Sequence, residues 1–191
     1  MRVSRFGSLV ASAAIGMVVS VTLAHASSIG AGTMEVSPSI SFGRSSVNPV
    51  GGGDAINLTH YNASVGAGRA INSQFEIIGG ALMQRRNPKS GDGVTAWGGS
   101  VGAQYHFASQ GSVIPFLSAG IGAVQFDSNG ETDRAMLLPM MRVGIRSMMG
   151  DSRSVNFSIG YQRESNPNSA VEDNANMFDR GVGMSFLSPG H

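Results

Sequence analysis

Thr95-Ala96-Trp97-Gly98-Gly99-Ser100-Val101-Gly102-Ala103-Gln104-Tyr105-His106-Phe107 is the stretch that decides the fold. Trp97, Gly99, Val101, Ala103, Tyr105 and Phe107 alternate with Gly98, Ser100, Gly102, Gln104 and His106. Successive side chains on a strand point to opposite faces, so this period of two makes one apolar face and one polar face. The glycines speak against a helix, where each costs about 1 kcal/mol relative to Ala. The polar face is the crowded one, and its small residues suit the narrow inside of a small barrel. The apolar face suits lipid.

Seven more segments of roughly ten residues, the length a tilted membrane strand needs, carry the same period. They cover about 32–44, 57–68, 74–85, 113–126, 137–147, 154–162 and 178–186. Pro38, Pro115 and Pro139 fall inside them, again against helices. The expected fold is all-β: a transmembrane antiparallel up-and-down β-barrel of eight strands, with ten strands as the alternative. Met34, Val101, Ile145, Ile159 and Met184 are expected to face lipid, and Ser100, Gln104, Arg142, Ser158 and Gly183 the lumen. Closure lets every backbone N–H and C=O find a partner, which an open sheet in lipid cannot do.

The connections alternate in length. Those around 68–73, 108–111 and 149–153 are short, while 45–55, 87–93, 127–133 and 164–176 are longer and rich in turn formers. Outer-membrane barrels have short periplasmic turns and longer outer loops. The aromatics then sort by depth. Phe42, Tyr61, Trp97, Tyr161 and Phe178 lie toward the long loops, and Phe75, Tyr105, Phe107, Phe157 and Phe186 toward the short turns. Two aromatic girdles at the membrane interfaces follow. Three residues sit against the pattern: Arg180 shares the parity of lipid-facing Val182, and Phe116 and Phe126 share that of the lumen.

The start of the chain sets the compartment. Arg2 and Arg5 precede a largely apolar run to Leu23, followed by Ala24-His25-Ala26. That is a signal-peptide layout, with residues 1–26 removed before Ser27. A membrane anchor is the rival reading of the same apolar run. Residues 27–191 then form one barrel domain in the cell outer membrane. Only 13% of the residues are charged and the net charge is +1, so nothing favours nucleic acid. There is no cysteine, which removes disulfides, thiolate metal sites and a lipidated-Cys anchor. No cofactor or metal is expected. The expected partners are outer-membrane lipids and lipopolysaccharide, around a monomer.

Charges on the polar faces need one another, because a buried charge must be paired. Glu35, Glu76, Arg142, Arg146 and Asp179 are expected to form a lumen charge network, with Glu35 and Glu76 as first choices to meet both arginines.

The layout as a whole resembles the small eight-stranded outer-membrane barrels of the OmpA and OmpX type. A narrower similarity concerns Tyr161-Gln162-Arg163-Glu164-Ser165-Asn166 together with Ile114-Pro115-Phe116-Leu117-Ser118-Ala119-Gly120-Ile121-Gly122. These stretches resemble the PagL-type lipid A 3-O-deacylases, whose motif is His-x-Ser-Asn. Ser165 and Asn166 match it, but Arg163 stands where the resemblance calls for the catalytic His. A serine nucleophile needs a neighbouring base, and Arg stays protonated. Ser165 and His60, at the outer end of the second segment, are therefore weak catalytic candidates. The leading expectation is a structural, surface-interaction or envelope-maintenance barrel without catalysis. A divergent or inactive deacylase is second and a narrow channel third.

Overall fold

The computed structural model describes residues 29–47, 56–87, 93–109, 111–128, 131–164 and 175–189. Eight strands run in chain order: β1 (Met34–Val47), β2 (Ile56–Ala70), β3 (Phe75–Asn87), β4 (Val94–His106), β5 (Val113–Ser128), β6 (Glu131–Met148), β7 (Arg153–Glu164) and β8 (Ala175–Ser188). Each pairs antiparallel with its neighbours, and β1 pairs with β8, so the sheet closes into a barrel. Pro38 has no N–H to give, and the β1–β8 ladder skips Ser37 and Pro38 between Val36↔Phe186 and Ser39↔Gly183 without changing register.

The two faces sort as the alternation requires. Ile40, Trp97, Val101 and Ile159 stand on the outer surface with more than half of their area exposed (62%, 57%, 57% and 59%). In water so many large apolar side chains would form an exposed patch of the kind soluble monomers avoid. Lipid removes that penalty, and the outer belt is the membrane-facing surface of the barrel. Met34 and Met184 are exposed on the same surface, and Ile145 is half-buried there. Gln104 is buried in the lumen, with Ser100, Arg142, Ser158 and Gly183 around the chamber inside the barrel. The girdles hold together by ring packing. Phe75–Tyr105 and Tyr105–Phe107 meet edge-on at 5.1 and 5.0 Å near the short turns, and Tyr161–Phe178 meet at 5.1 Å near the long loops.

Two of the three exceptional residues, Arg180 and Phe116, keep the register that parity assigns. Arg180 points outward, between Phe42 on β1 and Ile159 on β7. Phe116 points inward and is buried. It fits because Gly144 lies against it: a Cβ at Gly144 would fall 2.6 Å from Phe116 Cζ. The side chain of Phe126 lies outside the described residues.

One connection differs from expectation. Residues 127, 128 and 131–133 belong to strands rather than a loop, because β5 and β6 stay paired up to Ser128↔Glu131, with a bulge at Gln125/Phe126. Asn129 and Gly130, which join that last pair, lie outside the described residues. β6 pairs with β7 only from Met140 onward, so the β5–β6 hairpin continues past its neighbour. β8 likewise begins at Ala175, three residues before the expected start. The expected signal peptide, residues 1–26, lies outside the described residues.

Candidate functional site in the lumen

The lumen is built in three tiers. At the short-turn end, Arg146 of β6 reaches across the barrel. Its Nη2 lies 2.7 Å from Glu35 Oε2 of β1 and 3.7 Å from Glu76 Oε2 of β3. Its Nε donates to Asn156 Oδ1 at 3.2 Å. Asn156 Nδ2 donates to Ser185 Oγ at 2.6 Å, and Ser185 Oγ donates to Glu35 Oε1 at 2.6 Å. His106 Nε2 sits 3.0 Å from Glu76 Oε2, within hydrogen-bond distance. All these ionisable groups are buried. Buried charges survive only when paired, and Glu35, Glu76 and Arg146 find their ion-pair partners on one another's strands, while Arg146 Nη1 and His106 Nδ1 are left without a hydrogen-bond partner among the described residues. An apolar cluster of Ile114, Met148 and Leu187 accompanies it at the same end.

In the middle tier, Arg142 Nη2 donates to Asp179 Oδ2 at 3.0 Å. Asn62 Nδ2 and Ser41 Oγ each reach the same oxygen at 3.4 Å. Arg142 was expected to meet Glu35 or Glu76, and the structure gives it Asp179 instead. The reason is the register. Arg142 is opposite Gly160, and Gly160 is opposite Asp179, so all three share one rung. Gly160 has no side chain to separate the other two. A Cβ there would come within 3.1 Å of the Arg142 side chain and would overlap Asp179 Oδ1.

At the long-loop end, Arg86 of β3 and Glu164 of β7 form an ion pair across the lumen. Arg86 Nη2 also donates to Gln84 Oε1 at 3.3 Å, and Gln84 Nε2 approaches Met177 Sδ at 3.2 Å. Beneath them Ala96, Val124, Leu138 and Met177 are buried together, with Leu82 and Met140 packed on the cluster. His60 is fully buried in this tier, directly opposite Arg86 in the β2–β3 register.

Between the tiers lies a chamber of about 190 Å³. Its wall includes Ser39, Ser64, Ser100, Gly102, Ser118 and Ser158. Small side chains leave space at mid-height, and large ones fill both ends.

The sequence candidates therefore divide. Glu35, Glu76 and Arg146 come together, Arg142 and Asp179 form a separate pair, and Ser165 lies outside the described residues. His60 points into the lumen, whereas Arg163 points to the exterior. Sequence reasoning missed His106, Asn156 and Ser185 as members of the lower tier, and Arg86–Glu164 with its apolar bed as the upper one. The parity of Leu82, Leu138, Met140 and Met177 was a usable signal for that bed. Their apolar nature hid it, because apolar residues on a membrane strand are first assigned to lipid. Among the described residues no group of three or more His, Asp or Glu side chains is placed to hold a metal ion.

A closed eight-stranded antiparallel barrel with an apolar belt, two aromatic girdles and a polar lumen defines the class: a small outer-membrane β-barrel protein. Such a surface belongs in the outer membrane. Solved structures of this class are similar to the chain. The crystal structure of Neisserial surface protein A matches with a TM-score of 0.62 and 14% identity, over 81% of this chain and 98% of that one. The outer membrane enzyme PagL matches with a TM-score of 0.55 and 15% identity, over 77% of this chain and 97% of that one. The outer membrane protein OprG from Pseudomonas aeruginosa matches with a TM-score of 0.53 and 10% identity, over 85% and 98%. At such identities the likeness is one of fold. No protein-family model matches the sequence, and no curated protein is significantly similar to it.

Proposed function

We propose that this protein works as a closed, non-catalytic barrel. It would serve the outer membrane through its stable body and its surfaces rather than through its lumen. The observation that carries the reading is the double closure. Arg146 with Glu35 and Glu76 spans one end, and Arg86 with Glu164 over the Leu138–Met177 cluster spans the other. Eight strands leave an interior only wide enough for side chains, and here those side chains are ion-paired or packed. A conducting pore would need both of these crossings to be absent.

The deacylase reading has support from the Ser165-Asn166 dipeptide and from the fold of PagL. Against it stands the proton chemistry. Arg163 cannot serve as a base, and His60 is enclosed within the barrel wall. The test is a pair of assays on the refolded protein. Liposomes carrying it should retain an entrapped small solute as well as empty liposomes do, and lipid A in the same membrane should keep all its acyl chains. Rapid solute loss would overturn the closure, and loss of an acyl chain would overturn the non-catalytic role.

A further inference from the structure

Charge is sorted across the barrel wall. Every acidic strand side chain among those described faces the lumen: Glu35, Glu76, Glu164 and Asp179. Toward the long-loop end the outer surface carries Arg44, Arg85, Arg163 and Arg180, all exposed. None of the four is ion-paired to a described carboxylate, and Arg85 has only a 3.4 Å hydrogen bond from its Nε to Asn87 Oδ1. The register brings three of them together. Arg180 is opposite Phe42, Phe42 is opposite Tyr61, and Tyr61 is opposite Arg85. Arg44 lies two residues above Phe42 on the same face of β1. Two cations thus flank two aromatic rings along the outer girdle, with Arg44 above them, at the depth where lipid headgroups begin.

The next rung toward the membrane centre is apolar and partly hollow. It runs Val182, Ile40, Ala63, Met83, Trp97. The rung below it carries Pro38, Val65, Ala81 and Gly99. Ala63, Ala81 and Gly99 are small beside Ile40, Met83 and Trp97. A depression of about 780 Å³ lies here on the exterior, lined by Ile40, Ala63, Val65, Ala81, Met83 and Trp97 among others.

We infer that this face, over β8, β1, β2 and β3, is a binding site for a phosphorylated, multiply acylated lipid of the outer leaflet. Its phosphates sit among Arg44, Arg85 and Arg180, and its acyl chains lie over Ala63 and Ala81. Guanidinium forks match phosphate oxygens in pairs, and a low-dielectric interface strengthens the attraction. The alanines give the chains a bed that flat Ile and Leu packing would deny. The site depends on the membrane setting of the barrel and not on closure of the lumen, so conductance by the protein would leave it standing.

Native mass spectrometry of the refolded barrel, with lipid A as the probe, tests the assignment. Arg44→Gln/Arg85→Gln/Arg180→Gln should weaken retention of bisphosphorylated lipid A by about 10–100-fold. Arg69→Gln/Arg153→Gln, exposed at the opposite end of the barrel, should leave it unchanged. Ala81→Leu, which fills the depression without touching charge, should also lower retention. Dephosphorylated lipid A should bind the wild type as weakly as it binds the triple variant. Heat-modifiable gel mobility shows that each variant is folded. Equal retention by wild type and triple variant, equal loss in the two arginine variants, or displacement of lipid A by millimolar inorganic phosphate would each overturn the site.

Discussion

Arg146 and Glu35, contributed by β6 and β1, meet at 2.7 Å across the short-turn end of the lumen. No hydrogen-bonded ladder links those two strands directly, so the pair ties opposite walls of the barrel together. Removing one partner leaves a buried charge uncompensated. Arg146→Met should therefore destabilise the barrel by about 3–5 kcal/mol, read as a lower urea midpoint in detergent and a loss of heat-modifiable mobility. Arg146→Met/Glu35→Leu should recover part of that stability. An unchanged midpoint in the single variant would remove the pair from any role in stability.

The middle pair depends on a glycine. Gly160→Val would drive a side chain between Arg142 and Asp179, whose approach leaves no room for one. The expected cost is about 1–3 kcal/mol of overpacking, and the Arg142–Asp179 ion pair should break as well. Val155→Ala, on the outward face of the same strand, should change the midpoint far less. Equal effects would mean that the lumen at this height is roomier than the Arg142–Asp179 approach implies.

Depth in the membrane gives a third test. Val101 lies near the middle of β4 and is exposed on the outer surface. Val101→Arg should cost about 2–4 kcal/mol, as a cation at the bilayer midplane does, and Val101→Leu close to nothing. Folding yield into vesicles measures both. A tolerated arginine at Val101 would contradict the placement of the belt.

Lipid A from cells expressing the protein should show an unaltered acyl pattern by mass spectrometry, and Ser165→Ala should change nothing. Arg163→His should not confer turnover either, since Arg163 points to the exterior while the neighbouring Glu164 faces the lumen and pairs with Arg86. Loss of an acyl chain that depends on Ser165 would contradict this and direct the search for a base to His60.

The barrel was legible in the sequence because its physics is local. Alternation in Thr95–Phe107 and its seven counterparts fixes which face meets lipid. Arg180 and Phe116 kept the register that parity assigned them, even though their chemistry argued against it. The pairing inside the lumen was less legible, because it depends on which strands lie opposite and on where side chains are missing. Arg142 goes to Asp179 since Gly160 stands between them, a three-strand relationship that no single strand carries. His106 looked like a residue near a turn and proved to be a partner of Glu76. The upper closure was hidden for a different reason: Leu138 and Met177 are apolar residues facing inward, where a membrane strand is expected to be polar.

Single-channel recording in a planar bilayer tests the central claim, that side chains close this barrel at both ends. The wild-type protein should give no stepwise current at moderate voltage. A variant with both crossings cut back, Arg146→Ser/Arg86→Ser/Leu138→Ser/Met177→Ser, should conduct if it folds to the same heat-modifiable form. Stable, reproducible conductance steps from the wild type, with its Arg146–Glu35 and Arg86–Glu164 pairs in place, would contradict the closed-lumen account.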